Sequence, residues 1–117
     1  MKKLLAVLLL FVSASVFAQS KPAYFVTELN IKNNEAYLKE YAPGAIALFA
    51  KFGGTQIAGA EPMEKSPNFD KGVNRVTIFK FDSVDKAKAF SNSPERKDLN
   101  KIRDKYATAY SYFLEGK

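Results

Sequence analysis

The sequence contains no cysteine, no histidine and no tryptophan among its 117 residues. Cysteine and histidine supply the ligands of tetrahedral zinc, of blue copper and of His- or Cys-ligated haem, so those centres are excluded. The serine–histidine and cysteine–histidine pairs of nucleophilic enzymes are excluded for the same reason. No spaced acidic cluster resembles a calcium-binding loop, and we therefore expect neither a metal nor another cofactor. Without cysteine, no disulfide can stabilise the fold, which must depend on its core or on oligomerisation.

The first 18 residues have the layout of a secretory signal peptide. Lys2 and Lys3 form a basic start, residues 4–12 are apolar, and residues 16–18 (VFA) match a signal-peptidase site. The apolar run is too short to anchor the mature protein in a bilayer, and a buried N-terminal helix is the alternative. We expect cleavage after Ala18, a periplasmic or secreted protein without a lasting membrane anchor, and a single domain over residues 19–117.

The basic excess of the chain is modest. Eighteen Lys and Arg stand against twelve Asp and Glu, a net charge of +6, and losing Lys2 and Lys3 lowers this to +4. The densest basic stretch, residues 96–105, is otherwise polar and is typical of a solvated face. A nucleic-acid surface needs interleaved stacking aromatics, and an exported protein does not meet nucleic acid. We therefore expect no nucleic-acid partner.

The rest of the chain alternates between strand and helix patterns. Expected strands cover residues 23–31, 55–60, 74–81 and 108–114, and expected helices cover about residues 35–52, 84–93 and 94–105. This order, β-α-β-β-α-β, is the ferredoxin-like arrangement of the α+β class, with a core over about residues 23–116.

Three local features interrupt these elements. Pro43 removes a backbone donor within the first helix and predicts a kink or break near Ala42. The pair Gly53-Gly54 predicts the end of that helix. Residues 61–74 contain two prolines, a glycine and several turn-forming residues, so they form an exposed loop and a candidate pocket rim.

Several spaced motifs resemble the family called domain of unknown function 1330. They are AYFVTEL, KFGGTQIAGAEP, RVTIFKFDS, AFSNSPERKDL followed by Arg103, and the closing LEG. The resemblance covers residues 23–116 and implies a dimeric α+β barrel, in which two ferredoxin-like sheets enclose a cavity. The chain departs from the family at Thr55, where members often carry a basic residue, and at Arg96, where they often carry an aromatic one.

Strand alternation predicts one polar constellation. The first and third strands of this fold are adjacent and antiparallel, so Glu28 and Arg75 can meet on the open face of the sheet, opposite the helices. If Arg75 lies there, Thr77, Phe79 and Phe81 lie there too. Arg75 would then fix an anionic or carbonyl group, with Glu28 orienting it or serving as base. A structural cross-strand ion pair without a ligand is the alternative, and the more common arrangement.

The candidate ligand-binding residues are therefore Arg75, Glu28, Tyr24, Tyr41 and Thr77, and no catalytic residue is identified. Tyr41 either points its hydroxyl into a cavity or only packs. A bare sheet face with Tyr24, Val26, Phe79 and Phe81 predicts a homodimer.

The leading functional hypothesis is an exported small-molecule-binding or regulatory module, which works as a homodimer without a cofactor. The alternative, implied by the resemblance to dimeric barrels, is a cofactor-independent enzyme that oxygenates, isomerises or decarboxylates a small aromatic or polyketide-like compound. A purely structural interaction protein is the third hypothesis.

Overall fold

The computed structural model describes residues 21–117, and the predicted signal peptide lies outside them. The elements are β1 (Ala23–Ile31), α1 (Asn34–Ala36), a π-helical segment (Tyr37–Tyr41), α2 (Ala42–Lys51), β2 (Gly54–Ala60), β3 (Arg75–Phe81), α3 (Val84–Ser91), α4 (Pro94–Arg103) and β4 (Ala107–Glu115). The first three helical segments are continuous and correspond to the predicted first helix. The predicted β-α-β-β-α-β order and α+β class are thus confirmed. Within the described range, no helix has the length and apolarity that a membrane span requires.

The strands form one antiparallel sheet in the order β2-β3-β1-β4. The first and third strands are adjacent, as predicted. Directly opposed residues of antiparallel strands share a face of the sheet. Arg75 opposes Leu29 in this register, and Thr77 opposes Thr27. The register between β2 and β3 is irregular between Gln56 and Ala58.

A cluster of phenylalanines fills the space between the sheet and the helices. Phe49 of α2 stacks on Phe79 with ring centroids 3.6 Å apart, and on Phe90 of α3 at 4.3 Å. Phe25 lies 5.5 Å from Phe49, and Phe81 is fully buried. Burying each such ring contributes about 1.5–3 kcal/mol, so this cluster fixes which face of each strand turns inward.

The helix after β1 changes geometry part-way along its length. Asn33 caps its start, because the Ala36 N–H donates to Asn33 Oδ1 at 3.1 Å. Residues Tyr37–Tyr41 are π-helical, and α-helical geometry resumes at Ala42, next to Pro43. Proline lacks an N–H and its ring crowds the preceding turn, and the wider π turn accommodates both effects. The interruption predicted near Ala42 is observed as this change of helix type.

The remaining turns follow the local chemistry of the sequence. Gly53 has φ 84°, a left-handed conformation that glycine adopts without strain, and it ends α2 as predicted. The side chains of Ser83 and Ser93 accept hydrogen bonds from the first turns of α3 and α4. Each helix therefore begins or ends on a residue suited to that position.

The open face of the sheet differs from the prediction. Thr77, Phe79 and Phe81 oppose Thr27, Phe25 and Ala23, so they turn toward the helices. Their predicted placement on the open face is wrong, and the predicted dimer face keeps only Tyr24 and Val26. The register adds other apolar residues to that face: Val76, Ile78, Tyr110, Tyr112 and Leu114.

Candidate functional site

A cleft of about 50 Å³ opens between the π-helical segment and the helix-covered face of the sheet. Strands β1 and β3 form its floor, and α2 forms one wall. Apolar and aromatic side chains make up much of the surface. The polar residues that line it are Thr27, Tyr37, Tyr41, Gln56, Arg75 and Thr77.

Arg75 is the one charged residue among the described residues that line the cleft. Its place follows from the register, which sets it opposite Leu29 on the inner face. Its Nε is buried and has no hydrogen-bond partner in the described part of the chain. A buried donor without an acceptor costs about 1–3 kcal/mol, so an acceptor that reached this N–H would remove that cost.

Gln56 approaches Arg75 across a glycine. A Cβ at position 59 would lie 2.2 Å from Gln56 Nε2 and 3.4 Å from Arg75 Nη2. Gly59 therefore leaves the space in which the amide sits beside the guanidinium. The same amide donates to the Ala58 carbonyl at 3.4 Å, a contact at the long end of the hydrogen-bond range.

Tyr37 and Tyr41 contribute two buried phenol groups, with ring centroids 5.0 Å apart. Burial raises the pKa of Tyr37 to about 12, and Tyr41 adds to the rise, while Arg75 and Arg103 oppose it. Burial also raises the pKa of Tyr41, and Arg103 opposes that shift. Both hydroxyls are therefore protonated at neutral pH and can donate hydrogen bonds.

Two buried threonines lie at the floor of the cleft. Thr27 and Thr77 are opposed across β1 and β3, and they are 5% and 9% exposed. Thr27 Oγ1 lies 3.1 Å from Ser111 Oγ, so this hydroxyl is already hydrogen-bonded within the protein. The floor is thus polar at its centre, although its surroundings are aromatic.

Carboxylates are absent from the cleft lining in the described residues. Over residues 21–117, no three His, Cys, Asp or Glu side chains cluster closely enough to hold a metal ion. The described lining therefore offers hydrogen-bond donors and one positive charge, without a carboxylate or imidazole among its residues.

A second groove, of about 300 Å³, adjoins the cleft at Arg75. We call it the outer groove, and its lining residues are Ile31, Asn34, Glu61, Asn74 and Arg75. Glu61 directly follows Ala60, which pairs with Val76, so extending the register by one position sets Glu61 opposite Arg75. The loop predicted as a pocket rim contributes its first and last residues to this groove.

The structure brings three of the five predicted site residues together. Arg75, Tyr41 and Thr77 line the cleft. Glu28 and Tyr24 lie on the opposite face of the sheet, because β1 alternates and Glu28 opposes Val76 rather than Arg75. The predicted meeting of Glu28 and Arg75 is therefore wrong, both as a ligand floor and as an ion pair. The Tyr112 hydroxyl donates to Glu28 Oε2 at 3.3 Å instead.

Sequence reasoning missed Tyr37, Thr27 and Gln56. Tyr37 precedes Tyr41 by four positions, a spacing that places both on one side of a helix. Thr27 has the same strand parity as Leu29, an apolar residue whose burial marks the face of β1 that packs against the helices. Gln56 carried no such signal, because its orientation depends on the irregular pairing of β2.

The sequence profile of a family described as a domain of unknown function (DUF1330) matches residues 22–117. The chain belongs to the DUF1330 family. The match covers the whole described domain apart from its first residue, and it confirms the resemblance carried by the sequence motifs. A search of curated protein sequences finds no significant match.

Solved structures share the fold of this DUF1330 protein. A protein of unknown function from Rhodopseudomonas palustris aligns with a TM-score of 0.57 and 15% identity, over 92% of each chain. SnoaB, a cofactor-independent oxygenase from Streptomyces nogalater, aligns with a TM-score of 0.61 and 15% identity, over 84% of this chain and 95% of its own. A dimeric protein of unknown function with a ferredoxin-like fold, from Bacteroides fragilis, aligns with a TM-score of 0.50 and 17% identity. The alignment covers 80% of this chain and 95% of that protein. At these identities the likeness is one of fold.

Proposed function

We propose that this DUF1330 protein binds a small organic anion in the cleft, with Arg75 as its anchor. The observation that carries the proposal is the buried Nε–H of Arg75, which lacks an acceptor among the described residues. A guanidinium binds a carboxylate through two parallel hydrogen bonds. Tyr37 and Tyr41 line the same cleft as protonated donors, and both can bind further oxygens of the ligand.

The size of the cleft limits what it can hold. An engineered protein cavity that binds benzene measures about 150 Å³, three times the volume here. The group that enters is therefore smaller than an aromatic ring, such as a carboxylate with a short alkyl chain. A larger ligand would insert only its anionic or carbonyl end.

Binding is favoured over turnover because the lining supplies no carboxylate or histidine to remove a proton. The protein would then act as a small-molecule-binding or regulatory module and need no cofactor. Its output would be a change in stability or in association when the ligand binds.

Thermal denaturation with short carboxylates tests this proposal. Acetate, propionate or pyruvate should raise the melting temperature of the wild-type protein, and a hundredfold excess over Kd stabilises by about 2.7 kcal/mol. Arg75→Met should abolish the rise because the anchor is gone. Arg75→Lys should reduce it strongly, because an ammonium cannot form the paired hydrogen bonds.

Glu28→Gln is the matched control, since it changes the charge of a strand residue on the opposite face. This variant should show the same ligand-induced rise in melting temperature as the wild-type protein. Far-UV circular dichroism checks that each variant is folded. A rise that persists in both Arg75 variants would show that Arg75 does not anchor the ligand.

A cofactor-independent oxygenase is the second candidate, and its support is the fold shared with SnoaB. The described residues of the cleft lining include no carboxylate or histidine, so a substrate would have to ionise by itself near neutral pH. Arg75 and the two tyrosine hydroxyls would then stabilise the resulting oxyanion. Consumption of oxygen in the presence of an acidic phenol or a quinol, measured with an electrode, would favour this candidate over binding alone.

We propose further that the protein is an exported homodimer. Dimerisation is supported by the apolar open face and by the dimeric state of the Bacteroides fragilis protein of the same fold. Export is supported by the sequence pattern of residues 1–18 alone.

A further inference from the structure

We infer that the ligand is a small amino acid, with its carboxylate on Arg75 and its ammonium group on Glu61. This inference rests on the proposed function and names its ligand class. Arg75 borders both the cleft and the outer groove, whereas Glu61 lines the outer groove. The register ends at the Ala60–Val76 pair, directly beside both residues, and both line the outer groove, so a positive and a negative side chain lie on its surface.

The two opposite charges do not neutralise each other in the structure. The ion pairs that the described residues form within 4.0 Å join other partners: Lys51–Glu95, Lys86–Asp82, Lys101–Asp98 and Arg103–Asp104. Lys65, which lies in the same loop as Glu61, donates to the Val73 carbonyl at 3.0 Å. Arg75 and Glu61 are cross-strand neighbours that remain more than 4.0 Å apart at their charged atoms. A molecule with a charge of each sign would bind both, with its carboxylate on Arg75 and its ammonium group on Glu61.

The surrounding groups favour an ammonium group at the outer position. Asn34 and Asn74 lie beside Glu61 in the outer groove, and their carboxamide oxygens can accept hydrogen bonds. Asn74 already uses its carboxamide to pair with Ile31, at 2.9 Å in both directions, so Asn34 and Glu61 supply the remaining acceptors. An alkylammonium ion needs three acceptors, which a carboxylate and an amide can provide.

The volumes set the size of the ligand. The outer groove, at about 300 Å³, accommodates both charged groups of an amino acid. The cleft, at about 50 Å³, accepts only a short side chain or the carboxylate itself. Alanine and β-alanine fit these limits, whereas the ring of phenylalanine exceeds the cleft.

Isothermal titration of the whole protein with alanine, β-alanine, propionate and ethylamine tests the inference. Wild-type protein should bind one of the two amino acids at least tenfold more tightly than propionate, and ethylamine more weakly still. Glu61→Gln should lower amino-acid affinity about tenfold and leave propionate unchanged or stronger, because the competing carboxylate is gone. Glu64→Gln, an exposed glutamate of the same loop, is the matched control and should behave as wild type.

The possible results separate this inference from the proposed function. Propionate binding that depends on Arg75 would support the anion site. If the amino acids then bind no more tightly than propionate, and Glu61→Gln changes the affinity for all ligands by the same factor, the amino-acid inference is wrong and the anion site stands. If Glu61→Gln increases the affinity for propionate and for the amino acids by the same factor, Glu61 acts only as an ionic partner of Arg75 and does not bind the ammonium group. If no carboxylate binds, both proposals are wrong.

Discussion

Tyr37 and Tyr41 connect the chemistry of the cleft to the stability of the fold. The two rings are buried with their centroids 5.0 Å apart, and burial is the largest cause of the raised pKa in both. Raised tyrosine pKa values keep these groups neutral and able to donate well above physiological pH. An ionised ligand oxygen can therefore bind without competition from a phenolate.

Tyr37 should make stability depend on alkaline pH. Below pH 10 its hydroxyl is protonated in both the folded and the unfolded chain, so its contribution is fully present. As pH rises toward the folded pKa of about 12, the unfolded tyrosine ionises first and stability falls. Urea unfolding gives the free energy of unfolding at each pH between about 9 and 11. The slope of this free energy against pH should be less steep in Tyr37→Phe than in wild type, by up to about 1 kcal/mol per pH unit.

The exposed residue Tyr110 supplies the comparison for this experiment. Tyr110→Phe should leave the slope close to that of wild type, because this side chain is 57% exposed and lies outside the buried cleft. Identical slopes in wild type and Tyr37→Phe would contradict the burial of the Tyr37 hydroxyl.

Residue parity within β3 explains why Arg75 lines the cleft and does not meet Glu28 on the other face of the sheet. An exposed ion pair contributes about 0–1 kcal/mol, whereas burying one phenylalanine contributes about 1.5–3 kcal/mol. Phe79 and Phe81 share the parity of Arg75, so their burial outweighs any attraction between Arg75 and Glu28. Lys80 carried the decisive signal, because burying a lysine among the core phenylalanines is costly, and its parity therefore marks the face turned away from the helices.

At the scale of elements, the two ends of the loop over residues 61–74 connect the outer groove to the sheet. Asn74 extends the pairing beyond β3, since its side chain exchanges two hydrogen bonds with Ile31 and its N–H donates to the Leu29 carbonyl. The Asn74 end of the loop is thus joined to β1 by three hydrogen bonds. Glu61, at the other end, is positioned only by the register of β2.

Asn74→Ala should destabilise the protein by about 1–3 kcal/mol, because the Ile31 N–H and carbonyl lose their partners. Urea unfolding should give a lower midpoint concentration, while the dependence of the unfolding free energy on urea concentration should not change. Asn92→Ala, at an exposed asparagine after α3, should change stability much less. Equal effects of the two substitutions would mean that the Asn74 side chain does not hold the strand end.

Most elements could be predicted because each one has a local cause. Gly53 ends α2 where the chain needs a positive φ, and Ser83 caps α3 through its own hydroxyl. The π-helical segment could be foreseen only as an interruption near Pro43. Its exact type depends on how Tyr37 and Tyr41 pack against the sheet, which no local pattern reports.

At the scale of the whole molecule, the helices protect one face of the sheet and leave the other apolar. Tyr110, Tyr112 and Leu114 are 57%, 44% and 52% exposed on that face. A bare apolar surface of this kind is typical of an interface rather than of a face that stays in water. The sheet-to-sheet dimer that we propose would cover it.

Sedimentation velocity at micromolar concentration should therefore show a dimer. Ile78→Lys places a charge at the centre of the open face. This substitution should raise the dimer dissociation constant at least tenfold. Leu38→Lys adds the same charge at an exposed apolar residue of the helical layer and should leave the dimer intact. A folded wild-type monomer at these concentrations would contradict the proposal.

The pairing of the first strand with the last has a consequence for how the chain folds. Thr27 and Ser111, whose hydroxyls meet in the structure, are 84 positions apart in sequence. Half of the pairing of β1 cannot form until β4 has been synthesised, and contacts over such distances form slowly. A nascent chain of this topology stays without a complete sheet until β4 leaves the ribosome. If residues 1–18 direct secretion, the translocation machinery meets the chain while it is still unfolded.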